Sequence, residues 1–407
     1  MPEVMTPKSE AELAALVERA GQEGVALAVE GAGSKRHLGP APAPGAQRVS
    51  LRGLSRVTAH DVGDMILSVE AGARLADVQA LLAPHGQWLP IDPPFLDEGA
   101  TIGGILATGS SGPRRLGHGT VKDLLLGLRV LGAHGRVTKS GGRVVKNVSG
   151  YDLHRPQVGA FGTLGVIVEA HFKVAARPDV SAIWAMPRAT LAEAHGLLLE
   201  IAATALRPVA LEAVDAASAR LLRARAPALP GDSEMAVALV GIEGSRPSFE
   251  RHARDLASFA ARGTGAAVLL ERPASEPLWR ALAELPAAQR AEVRVRVGAR
   301  PRDLPDLLAA LDLSRAPVRG ASVRAGVGLA FLSLASDGGA GVIAPLVARW
   351  HRLASARGGY AVVESAPLEL PGRGQLPFGV GAPSRLGSAL RRAWDPRETL
   401  NPGRIVP

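Results

Sequence analysis

No cysteine occurs among the 407 residues, and aromatic side chains make up only 3% of them. The first absence excludes disulfides, thiolate nucleophiles and cysteine-ligated iron–sulfur clusters from this chain. Redox chemistry here would need a bound organic cofactor, with electrons leaving to a partner, a quinone or oxygen. The second absence leaves few stacking platforms for nucleic acid bases. Lys and Arg outnumber Asp and Glu by 47 to 38, a net charge of +9, yet the arginines are dispersed along the chain. No nucleic-acid partner is expected; a basic surface of this kind suits an acidic partner subunit or an anionic membrane face. Apolar runs of membrane-spanning length are missing too: Leu197 to Ala203 is broken by Glu200, and Val342 to Val347 is short. The first ten residues show no charged-then-apolar signal pattern. The expectation is a soluble, cytoplasmic protein with at most peripheral membrane contact.

What is present is 47% hydrophobic residues and 47 glycines in a chain long enough for two cores. Ser9-x-x-Glu12 is a capping-box signal ahead of Leu13, Leu16, Val17 and Ala20 at helical spacing, with Gly21 and Gly24 ending that helix. Strands are expected at Val25–Val29, Met65–Val69, Leu124–Val130, Arg136–Thr138 and Val166–Val174, a helix at Leu75–His85, and a rigid turn at Pro90–Pro94. After Arg177-Pro178 strand-like runs alternate with helical ones as far as Tyr360–Glu364. Two successive β-α-β-type halves, packed as an antiparallel sheet with helices on one face, satisfy that order. The fold class is α+β.

Three glycine-rich stretches stand in a fixed order. Gly31, Ala32, Gly33, Ser34 and Lys35 follow a strand and offer backbone N–H groups with little obstruction, a nest suited to a pyrophosphate, though a plain tight turn has the same composition. The spacing is neither G-x-G-x-x-G, since residue 36 is Arg, nor a Walker P-loop. In the stretch from Thr101 to Gly112, Gly103, Gly104, Gly109 and Gly112 bracket an apolar run while Thr108, Ser110 and Ser111 supply hydroxyls; this fits close backbone approach to a flat ring or a phosphate, or a structural turn. The third runs Gly162, Thr163, Leu164, Gly165, Val166, Ile167. Pro93 and Pro94 could wall the same cavity.

With Val144-Val145-Lys146-Asn147-Val148-Ser149-Gly150-Tyr151-Asp152-Leu153 between the second and third, the set resembles the PCMH-type FAD-binding family that contains vanillyl-alcohol oxidase, D-lactate dehydrogenase and the glycolate oxidase subunits. The resemblance implies a two-subdomain FAD-binding domain over residues 1–177, a cap over 178–390 made of ferredoxin-like halves, and a tail at 391–407, with its N-P-G-R at 401–404, returning to the FAD domain. It implies non-covalent FAD, with Gly31 to Lys35 at the pyrophosphate. Gly103, Gly104, Gly109, Ser110 and Gly112 would face pyrophosphate and flavin, and Gly162, Thr163, Gly165, Val166 and Ile167 would line the ribose and adenine side. Thr101, Thr108 and Pro93 complete the expected set. By the same likeness the segment Gly109–Gly119 lies near the flavin ring.

Two departures bear on the chemistry. Where hydroxy-acid oxidising members carry G-S-E-G-T-L-G, this chain has Gly159-Ala160-Phe161-Gly162-Thr163-Leu164-Gly165; and no late H-x-G-D-G-N-x-H motif occurs, the region reading Val362-Val363-Glu364-Ser365-Ala366. The resemblance therefore implies an accessory FAD subunit, associated with a catalytic flavoprotein and an iron–sulfur subunit that act together on a small 2-hydroxy acid. A self-sufficient FAD oxidase and a flavin-free structural subunit are the alternatives. No catalytic base and no metal spacing are identified. Arg114, Arg115 and Lys146 are candidates for tuning flavin charge, His118 reads as a solvated loop histidine, and Asp61 and Asp64 as solvated carboxylates.

Overall fold

The computed structural model describes residues 4–143, 151–263, 265–379 and 385–404. Val144 to Gly150, and with them Lys146, lie outside the described residues. The described chain divides into two units: 4–111, 119–177 and 385–404 in one, 112–118 and 178–379 in the other.

In the first unit, Ser9 caps the helix Glu10–Glu23 by accepting from the Glu12 N–H at 3.2 Å. Leu13, Val17 and Ala20 are buried along its inner stripe. The chain then enters the strand Leu27–Glu30, parallel to Gln47–Ser50. A separate five-stranded antiparallel sheet runs in the order Val57–Asp61, Ile66–Glu70, Val166–Lys173, Leu125–Leu131, Val137–Gly141. Its core joins Leu67, Val69, Leu128, Ala170 and Phe172 to Leu13, Val17, Leu75 and Ile105.

The glycine-rich stretch after Thr101 is not all loop. Thr101 accepts from the Gly104 N–H at 3.3 Å and caps a helix, Ile102–Thr108, which buries Ile102, Ile105 and Leu106 and stops at Gly109. Three apolar anchors at i, i+3 and i+4 outweigh the low helix propensity of two glycines.

The second unit is an eight-stranded antiparallel sheet. Its first half has the order Val268–Glu271, Val180–Arg188, Ala236–Gly244, Ala210–Val214; the second has Val318–Arg324, Leu329–Leu334, Val293–Gly298, Tyr360–Ser365. Each half is a ferredoxin-like β-α-β-β-α-β arrangement, and they join antiparallel through Ala210–Val214 and Val318–Arg324. The helices cover both faces rather than one. Leu191–Ala202, Arg246–Ala260, Leu304–Ala310 and Gly339–Ser355 pack on the face of Ala238, Val240, Val295 and Leu332. Ala216–Arg225 and Glu276–Ala288 pack on the face of Ile183, Val237 and Leu239. The reason lies in Ala236–Gly244, whose successive residues point to opposite faces and are apolar on both. Among the described residues no helix is long and apolar enough to cross a membrane.

Candidate functional site

The end of the strand Leu27–Glu30 opens onto the turn Gly31–Lys35, and the helix Ile102–Thr108 comes up against it. A Cβ on Gly31 would lie 2.0 Å from the Thr101 Oγ1, so glycine is what lets these two segments meet. The segment around Phe161 closes the third side. Its N–H donates to the Ala107 carbonyl at 2.7 Å, and the neighbouring Gly159 N–H to the Leu106 carbonyl at 2.9 Å. Phe161 itself sits in the left-handed region, at φ 52°, a conformation held by these bonds.

The fourth side is the segment Thr399–Arg404. Leu27 donates its N–H to the Thr399 carbonyl at 2.7 Å and accepts from Asn401 N–H at 2.8 Å, extending the parallel pair. The Asn401 side chain accepts from Val29 N–H at 2.6 Å and donates to the Phe161 carbonyl at 2.7 Å. The Arg404 guanidinium donates to the carbonyls of Arg36 at 2.9 Å and Pro40 at 2.8 Å, with its carbon 4.8 Å from the Phe161 ring centroid.

These four segments line one cleft in two adjoining compartments of about 120 and 60 Å³. Of the residues expected from sequence, Gly31, Ala32, Gly33, Ser34, Lys35, Thr101, Gly104 and Thr108 line the first, and Gly103, Gly162, Gly165, Val166 and Ile167 the second. Pro93, Gly109, Ser110, Gly112 and Thr163 line neither. Pro93 is buried in the turn whose Pro94 carbonyl accepts from Lys35 Nζ at 3.1 Å. The Lys35 ammonium is thus drawn beneath the turn. The Thr163 hydroxyl donates to the Ala160 carbonyl at 2.8 Å and serves its own loop. Ser110 Oγ lies 2.6 Å from the Thr108 Oγ1 just past the helix end, and Gly112 belongs to the second unit.

Sequence reasoning missed Glu30, Arg36, Arg48, Phe161, Asn401 and Arg404 as cleft residues. Glu30 accepts from Arg36 at 2.5 Å and Arg48 at 2.8 Å. Burial raises its pKa, opposed by the hydrogen bond and charge of Arg36 and the charge of Arg404. Three guanidinium groups against one carboxylate leave the wall net positive, as a diphosphate requires. The cradle that no Cβ may enter, at Gly31 and at Gly162, where a Cβ would lie 2.6 Å from Asn401 Nδ2, fits a dinucleotide laid along the backbone.

The second unit holds the three residues singled out in the Gly109–Gly119 stretch, Arg114, Arg115 and His118. Arg114 Nε pairs with Glu243 at 3.0 Å, its guanidinium carbon 3.8 Å from the Trp279 ring centroid, and His118 Nε2 lies 2.8 Å from the other Glu243 oxygen. Arg114 is engaged by a buried carboxylate, and His118 is not the solvated histidine expected. The sequence offered no signal for this, because the partner stands 129 residues away.

The chain is similar to known flavoproteins in both of its units. Residues 2–141 match the FAD binding domain and residues 177–301 the FAD linked oxidases C-terminal domain. Glycolate oxidase subunit GlcE of Escherichia coli is 39% identical over 170 residues, 41% of this chain and 48% of that protein. Glycolate oxidase subunit GlcD of Bacillus subtilis is 26% identical over 265 residues, 65% and 56% of the two chains. D-lactate dehydrogenase of Archaeoglobus fulgidus is 30% identical over 209 residues, 51% and 46%. The match spans about half the length of these curated relatives. A solved alkyldihydroxyacetonephosphate synthase superposes with a TM-score of 0.70 at 18% identity, over 98% of this chain and 77% of that one, which shows a common fold. With a FAD binding domain ahead of a FAD linked oxidase C-terminal domain, the chain belongs to the PCMH-type FAD-linked oxidoreductase family.

Proposed function

We propose that this chain is the FAD-binding subunit of a 2-hydroxy-acid oxidase or dehydrogenase of the glycolate type. It works in the cytoplasm beside a catalytic flavoprotein and an iron–sulfur subunit. The observation that carries the reading is the convergence of four separated segments, at Gly31–Lys35, Thr101–Thr108, Phe161–Ile167 and Asn401–Arg404, on one net-positive cleft. The likeness to a glycolate oxidase subunit supports the substrate class, and the missing late histidine motif supports an accessory role. A chain without cysteine holds no cysteine-ligated cluster of its own, so any iron–sulfur relay would be supplied by a partner.

When bound, the flavin would accept electrons that the catalytic flavoprotein takes from a CH–OH donor and release them onward. The residues of this chain hold it. Gly31 to Ser34 would lie along the diphosphate with Arg404 behind them, and Gly162 to Ile167 would border the nucleoside. Arg36, whose guanidinium lies against Gly33 and pairs with Glu30, would add to the positive charge that a diphosphate requires.

The test is purification of the chain alone and with its partners. A yellow protein with one FAD, not bleached anaerobically by glycolate or D-lactate until a catalytic flavoprotein is added, is the expected result. Bleaching by substrate alone would make the chain self-sufficient, and a colourless protein that binds no added FAD would overturn the proposal.

A further inference from the structure

A second hollow, of about 770 Å³, lies wholly within the first unit and shares no lining residue with the cofactor cleft. It is set between the helix Glu10–Glu23, the strands Leu125–Leu131 and Val137–Gly141, and residues 393–399. Its volume is within the roughly 300–1,000 Å³ of small-molecule sites. The tail forms a fixed wall. Asp395 accepts from the N–H groups of Thr399 at 2.9 Å and Leu400 at 2.7 Å, and Arg397 donates to the Gly21 carbonyl at 2.6 Å. These bonds hold the turn that follows Trp394, whose indole lines the hollow.

Gln157, also in the lining, distinguishes the hollow from a fault in packing. It is 4% exposed, and its Nε2 donates to the Leu164 carbonyl at 3.4 Å. Its Oε1 has no hydrogen-bond partner among the described residues. Turning the amide over would set that oxygen against the Leu164 carbonyl, so an acceptor is what Gln157 offers. A buried acceptor without a donor is costly, and a ligand that brings one is favoured. Val130, Leu164 and Trp394 give the walls an apolar and aromatic surface, suited to a flat ring. The carboxylates of Glu18 and Asp395 balance the cations of Lys139 and Arg397 in the lining, so no net charge selects an ion. We propose that this hollow is a binding site for a neutral, flat aromatic molecule whose inner edge carries an O–H or N–H group. That group donates to Gln157 Oε1 while the ring lies along Trp394. Leu153, 53% exposed, stands at the mouth. The site is independent of the FAD reading.

The probe is 2-naphthol, and 2-methoxynaphthalene serves as the same ring without a donor. Binding of each to the full chain is measured by equilibrium dialysis at neutral pH, with and without FAD. Wild type is expected to hold 2-naphthol about fivefold more tightly than the methyl ether, the worth of one hydrogen bond. Gln157→Met should abolish that preference. Trp394→Leu, and Leu153→Arg at the exposed mouth, should weaken both probes, and FAD should displace neither. Failure of wild type to take up 2-naphthol, or equal affinity for the two probes, would overturn the proposal. So would unchanged binding in both Trp394→Leu and Leu153→Arg, or displacement of the probe by FAD, which would place it in the cofactor cleft. Should Gln157→Met not fold, the two probes on wild type and the surface variant Leu153→Arg decide the question.

Discussion

Asn401 binds Phe161 across 240 residues of chain: its side-chain amide donates to the Phe161 carbonyl at 2.7 Å while its oxygen accepts from Val29 N–H. One amide side chain thereby joins the first strand, the Phe161 turn and the Thr399–Arg404 segment. Asn401 is itself 4% exposed with φ 46°, a conformation that asparagine tolerates better than most residues. Replacement by Ala leaves a buried N–H and a buried carbonyl without these partners, at about 1–3 kcal/mol each. Asn401→Ala should lower the urea midpoint of the first unit accordingly. Asn401→Asp, which keeps the acceptor but sets a carboxylate oxygen against the Phe161 carbonyl, should lose at least as much as Asn401→Ala.

Gly31→Ala places a methyl group where the Thr101 hydroxyl is. Forced separation of two packed backbones costs roughly 1–3 kcal/mol, and here it moves the turn off the helix Ile102–Thr108. FAD affinity, measured by quenching of flavin fluorescence, should fall at least tenfold, with near-native far-ultraviolet circular dichroism.

Arg404→Ala removes donors to the carbonyls of Arg36 and Pro40 and the cation over Phe161. Hydrogen bonds from a charged group contribute on the order of 1.5–3 kcal/mol. The expected outcome is weaker FAD binding with a shallower dependence on salt. Arg404→Lys should recover the salt dependence but not the affinity, since an ammonium lacks the planar fork.

His195, on the buried side of Leu191–Ala202, is 2% exposed, and its Nε2 has no hydrogen-bond partner among the described residues. Burial pushes its pKa from the ordinary 6.5 down to about 4. The folded state therefore binds fewer protons than the unfolded one between these values. Its stabilising effect is fully present above pH 6.5 and is lost as the pH falls toward 4, by about 3 kcal/mol in all. Denaturant midpoints of wild type and His195→Leu should diverge between pH 7 and pH 5, the variant losing less stability on acidification.

The parts of the fold written in local pattern were legible. The Ser9 cap and its apolar stripe, the long strand over Val166–Lys173, and the alternation that yields two ferredoxin-like halves each follow from spacing of three or four residues or of two. Val318–Arg324 was not legible. It was not among the expected strands, since Gly320, Ser322 and Arg324 break its apolar pattern, yet it pairs with Ala210–Val214 and joins the two halves of the sheet, with Arg324 buried beside Glu212 at 3.5 Å. Polar residues enter a strand interior only when a distant partner waits there, and spacing carries no information about that partner.

The same division holds for the site. The lack of cysteine determined by itself that the chain has no thiol chemistry, and the order of three glycine stretches pointed to backbone open to a nucleotide, because each depends on the size or chemistry of single residues. Tertiary structure decided which atoms of the returning 401–404 segment complete the cleft, that the Lys35 ammonium turns to the Pro94 carbonyl, and that Arg114 and His118 belong to Glu243. Those outcomes turn on which charges and carbonyls meet after folding, between residues separated by 59 to 372 positions.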